Sequence, residues 1–159
     1  MSTFNRNEEV QIYHNAINLY GEAIQTIVAI EECNELILAL TNLRCGKSNN
    51  VEEETADVEI MINQLCIIND IELFEDIPAK PVEVNVACLS SEVVIALTEL
   101  VQAITKGIRG KETDIKGKLI KAWGYLMFLK AVLGDEVDRQ KEFKLKRLKD
   151  GVCMWWKII

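Results

Sequence analysis

The sequence predicts an all-α protein: a four-helix-bundle core built from two helical hairpins, an internal pseudo-dimer, with an extra N-terminal and an extra C-terminal helix. Three observations predict it. Apolar residues recur at helical spacings of three, four and seven along most of the chain. The only two prolines, Pro78 and Pro81, lie close together near the middle, so nothing breaks long helices elsewhere. A stretch of the second half also repeats a stretch of the first.

A first helix is expected over 8–20, with Ile12, Ala16 and Leu19 on one face and Gly21 marking a bend. A second runs over 22–43 and stops at "RCGKSNN", where Gly46 and the polar cluster make a turn. Asn50 is placed to cap a third helix, with Glu53 at the capping-box position. That helix carries Val51, Val58, Ile62, Leu65 and Ile68 and ends near Asn69. The two helices form a hairpin over 22–69, and residues 70–86, which hold both prolines, form a linker.

"ELILALTNLRCGK" (35–47) aligns with "ELVQAITKGIRGK" (99–111), 64 residues further on. The match includes the turn, and a long apolar-patterned helix follows each copy, at 51–69 and 114–133. Internal duplication accounts for this, with a second hairpin over 87–133. Residues 134–159 then supply a basic helix (135–150) and an apolar tail, all within one domain spanning 1–159.

A chain of 159 residues, nearly half of them apolar, can bury roughly 70% of its unfolded surface in one core. The net charge of −7 argues against a general nucleic-acid binder. There is no cationic leader, and no apolar run approaches the roughly 18 residues of a membrane span, so a cytoplasmic protein is expected. Five scattered cysteines without a CxxC pair fit reduced thiols better than a disulfide frame or a zinc site.

"AIEECNELILAL" (29–40) reads as buried, yet carries Glu31, Glu32 and Glu35. In a helix Glu32 and Glu35 share a face, with Glu31 at its edge; Glu54 and Asp57 have the same spacing on the next helix. Across an antiparallel hairpin the two pairs can face each other. Converging carboxylates repel unless cations lie among them, and hard Mg²⁺ or Mn²⁺ suits an all-oxygen cluster. The competing reading is a solvated face, because glutamate is a strong helix former and acids favour a first helical turn. A di-iron carboxylate bundle needs ExxH pairs, and the sole histidine, His14, belongs to none.

"EECNEL" followed by "EETADVEIMINQL", an ExxE…ExxD pattern with 36–53 between, resembles the signature of the all-alpha nucleoside triphosphate pyrophosphohydrolases, the MazG-like and dimeric dUTPase superfamily. The resemblance covers 25–69, and "KEFKLKRLKDGV" is similar to the basic helix that follows this core in MazG-like proteins. It implies Mg²⁺-dependent cleavage of a nucleoside triphosphate to monophosphate and pyrophosphate, in pool control or housecleaning. Carried over by position, the metal ligands are Glu32, Glu35, Glu54 and Asp57, with Glu31 a further ligand or a partner behind them. Glu35 is assigned to accept the proton of the attacking water.

The second half departs from this pattern. Glu32 maps to Ala96, Glu35 to Glu99, Glu54 to Lys118 and Asp57 to Lys121, so that copy cannot assemble the same cluster. On the basic helix Lys144 and Arg147 share a face and either anchor phosphates or are solvated; Lys47, after the first hairpin turn, carries the same two readings. Asn15, Tyr20 and Gln25 lie upstream of Glu32, where an amide can read a pyrimidine edge. The terminal "MWWKII" is expected to dock on the bundle or to join a homodimer interface. The alternative function is a nucleotide-binding or protein-interaction bundle that keeps the architecture without turnover.

Overall fold

The computed structural model describes residues 3–75 and 84–151. These form six helices and no strand: α1 (Arg6–Tyr20), α2 (Glu22–Arg44), α3 (Val51–Ile68), α4 (Val86–Ile108), α5 (Ile115–Leu133) and α6 (Asp135–Lys149). Pro78, Pro81, Cys153 and the "MWWKII" tail lie outside the described residues.

Local chemistry sets most of the ends. α1 begins two residues before the expected start at 8, because Asn5 caps it. The Asn5 side chain accepts from the Glu8 N–H at 3.0 Å, and the Glu8 carboxylate accepts from the Asn5 N–H at 2.8 Å. Gly21, at φ 91°, turns the chain from α1 into α2, a conformation that costs a glycine little. The capping box expected at Asn50 and Glu53 does not form. The Asn50 amide instead donates to the Glu54 carboxylate, and Glu53 faces Lys144. A partner one turn along for Asn50, and one on α6 for Glu53, take the place of the cap.

The duplication is visible in the backbone of the turns. Lys47 N–H donates to the Asn42 carbonyl at 2.9 Å, and Lys111 N–H donates to the Lys106 carbonyl at 3.0 Å. Gly46 and Gly110 take φ 66° and 71° at the equivalent point, the left-handed residue of a Schellman-type stop. The buried faces correspond as well: Ala29, Cys33, Leu36, Ala39 and Leu40 match Val93, Leu97, Leu100, Ala103 and Ile104 at the same offset.

Each hairpin packs on itself, α2 on α3 and α4 on α5, and the hairpins join through α2 against α4 and α3 against α5. The result is a four-helix bundle whose core includes Leu36, Leu40, Ile60, Leu65, Leu97, Leu100 and Leu126, all essentially inaccessible. Each such side chain contributes about 1.5–3 kcal/mol of burial. α4 is long and apolar enough to cross a membrane, but here Leu89, Val93, Leu97 and Ile104 turn inward to the bundle.

α1 and α6 both pack on α3, which makes α3 the central helix, buried almost all round. Its buried charge is held by a network. The fully buried Glu59 receives Lys130 at 3.0 Å and Lys141 at 2.8 Å; Lys141 also reaches Glu9 at 3.1 Å, and Lys130 reaches Asp138 at 2.8 Å. Burial pulls both lysines toward neutrality, but Glu59 and its neighbours hold them protonated, above the ordinary lysine range. The connector after α3 is strapped down too. Phe74 packs on Trp123, the Trp123 indole N–H donates to the Glu75 carbonyl at 3.2 Å, and Arg6 donates to the Phe74 carbonyl at 3.0 Å.

Candidate metal centre

The α2–α3 hairpin folds the two helices back on each other and brings Glu32 of α2 together with Glu54 and Asp57 of α3. Glu32, Glu54 and Asp57 each bring a carboxylate oxygen within 4.8 Å of the others, and all three are buried. Glu35 is exposed at the rim of this group, and its charge is felt by both Glu32 and Glu54. Glu31 is exposed and outside the group.

Burial and mutual repulsion act together on these carboxyls. Burial, then Asp57, Glu35 and Glu54, pushes Glu32 up to about 9. Burial, then Asp57 and Glu35, pushes Glu54 up to about 7. Two buried oxygens, Glu32 Oε2 and Glu54 Oε2, have no hydrogen-bond partner among the described residues. Such orphaned acceptors are costly, and a cation between them removes the cost. The donor set is oxygen only, which fits a hard divalent cation such as Mg²⁺ or Mn²⁺ and not a thiolate- or imidazole-seeking metal.

Two cationic or polar side chains enter the group from outside the signature. Lys144 of α6 is ion-paired with Asp57 and lies 3.5 Å from Glu53. Asn50, at the start of α3, donates to the second oxygen of Glu54.

The other sequence-derived candidates are dispersed. Arg147 is half-buried, with its guanidinium 5.7 Å from the centre of the Phe143 ring. Lys47 is exposed in the hairpin turn. Asn15 is exposed and accepts from Gln11 at 2.9 Å. Tyr20 is half-buried at the end of α1, and Gln25 is buried near the start of α2. Two residues were not singled out from sequence for the site: Asn50 as a Glu54 partner and Glu53 as a Lys144 partner.

The second hairpin shows what the same scaffold does without the acids. Glu99 accepts from Lys118 and from Lys121, each at 3.0 Å, and these two hydrogen bonds hold its carboxyl below the usual range. Ala96 stands buried where the first hairpin has Glu32. Repulsion has been replaced by pairing.

No family model matches the chain, no curated protein matches it, and no solved structure matches it.

Proposed function

We propose that the chain is a Mg²⁺-dependent nucleoside triphosphate pyrophosphohydrolase, adding water to a triphosphate to give a monophosphate and pyrophosphate. The single observation that carries the reading is the buried Glu32–Glu54–Asp57 group, with two carboxylate oxygens lacking any hydrogen-bond partner among the described residues. The likeness of "EECNEL…EETADVEIMINQL" to the pyrophosphohydrolase signature supports it.

In this reading Glu32, Glu54 and Asp57 hold the cation, and Asn50 orients Glu54 through its amide. Mg²⁺ bound there would neutralise phosphate charge and acidify water. Glu35, at the solvent rim of the group, takes the proton of the attacking water on its carboxylate. Lys144, beside Asp57 and Glu53, is positioned to add positive charge on the α6 side for the departing pyrophosphate. No covalent nucleophile is invoked. A role in clearing nucleotides places the work in the cytoplasm.

The ion pair between Lys144 and Asp57 favours one second reading, because it gives the acids a resident cation. That reading is a nucleotide-binding or interaction bundle without turnover. Pyrophosphate release, measured with Mg²⁺ across the common ribo- and deoxyribonucleoside triphosphates, separates the two. Release that disappears in Glu35→Gln supports the enzyme; full release in that variant removes Glu35 from the mechanism. No release from any triphosphate leaves the non-catalytic reading.

A further inference from the structure

The two hairpins differ in what covers their outer faces. At the offset of 64 residues, Ile120, Gly124 and Phe128 of α5 correspond to Ala56, Ile60 and Gln64 of α3. On α3 these three positions are inaccessible, and α1 and α6 both pack on that helix. On α5 the same face is open. Ile120 is 51% exposed, Phe128 53%, and Val132, one turn further on, 39%. Ile95 of α4 widens the patch: it is exposed and shares a helical face with Glu99, which pairs with Lys121 of α5.

Gly124 lies at the middle of this open face, between Ile120 and Phe128. Glycine weakens a helix interior, and a Cβ at this position would meet nothing within 4 Å. Nothing among the described residues therefore requires glycine there. Charge also runs one way along the helix. Lys116, exposed, lies in its first turn, and Asp135, exposed, follows its end. Neither is in an ion pair among the described residues.

We infer that the outer face of α5 is a contact between two copies of this chain, paired antiparallel about a two-fold axis at Gly124. Such an axis sets Ile120 of one copy against Phe128 of the other, twice over. The paired glycines let the two helices cross closely. Eight residues of helix, about 12 Å, separate Gly124 from Lys116 in one direction and from Val132 in the other. The axis thus brings Lys116 of each copy to the turn at Gly134 of the other, beside Asp135. Parallel pairing would set lysine against lysine instead. An apolar centre with a charged rim is the usual composition of a protein interface. The acid group belongs to the other hairpin, and the inference stands whether or not the chain turns over nucleotide.

Sedimentation velocity on the full chain tests it. Over a concentration series the wild type should pass from a species of 18.0 kDa to one of twice that mass. Phe128→Asp, which puts a charge at the centre of the contact, should weaken association at least ~10-fold without changing the far-UV circular dichroism. Gly124→Leu improves helix propensity but fills the crossing point, and should weaken association as well. It gives the same readout should Phe128→Asp not fold. Lys116→Glu should weaken association, and adding Asp135→Lys should restore it. A wild type that stays monomeric at every concentration, or a dimer that neither Phe128→Asp nor Gly124→Leu disturbs, overturns the inference. Stronger association in Lys116→Glu alone overturns the antiparallel arrangement.

Discussion

Lys144 of α6 is ion-paired with Asp57 of α3, so the carboxylate that completes the acid group is already bound to a cation of the chain itself. Both side chains are buried, and Lys144 lies 3.5 Å from Glu53 as well. A divalent cation entering this group must share Asp57 with the ammonium or displace it. Lys144→Met should therefore tighten Mg²⁺ binding in calorimetry while raising KM for the nucleotide. The metal-free variant should lose about 3–5 kcal/mol in denaturant, the cost of uncovering a buried acid. Unchanged Mg²⁺ affinity would show that the ammonium does not compete at the site.

Glu32 is the most strongly frustrated of the acids. Glu32→Gln should stabilise the metal-free protein, because it removes a buried charge beside Asp57 and Glu54. The same change should abolish stabilisation by Mg²⁺, which for the wild type is about 2.7 kcal/mol at a hundredfold excess over Kd. Thermal melts with and without Mg²⁺ measure both effects. Equal Mg²⁺ stabilisation in the two proteins would remove Glu32 from the ligand set.

The pH dependence of the metal-free protein has a definite sign. Glu32 and Glu54 have folded values of about 9 and about 7, above the ordinary 4.5. Between about pH 5 and 9 the folded state thus holds more protons than the unfolded state, and its stability falls as pH rises. Denaturation midpoints should decline across that window. With saturating Mg²⁺ the decline should flatten or reverse, because the ion binds the deprotonated carboxylates. A metal-free midpoint that rises from pH 5 to 9 would contradict the raised values.

The Glu59 network gives a purely structural prediction. Glu59→Gln removes the charge that Lys130 and Lys141 share, leaving Lys130 with Asp138 and Lys141 with Glu9. The expected cost is about 3–5 kcal/mol, since two buried ammonium groups lose a common partner. Chemical denaturation of the variant measures it. A loss under about 1 kcal/mol would mean that the remaining acids suffice.

The degenerate hairpin predicts independence. Glu99→Gln breaks the pairs with Lys118 and Lys121 but touches no residue of the acid group. Pyrophosphate release should stay at the wild-type rate under the same assay. A large fall would place the second hairpin in the reaction.

The sequence by itself determined the helices, the hairpins and the acid pairs. Helical periodicity, the glycine stops and the offset of 64 residues are local properties, legible without knowing what packs on what. Local signals misled where a side chain had another partner. Asn50 reads as a cap for α3 but serves Glu54 one turn along, and Glu53 turns to the distant Lys144. Asn5, by contrast, caps α1 through contacts entirely within three residues. Only the tertiary structure decided the rest. The antiparallel register buries Glu32 but leaves Glu35 at the rim, although the two share a helical face. The return of α6 along α3 carries Lys144 to Asp57, a contact across 87 residues of chain. Periodicity assigns a residue to a face; what meets that face is set by packing between segments distant in sequence.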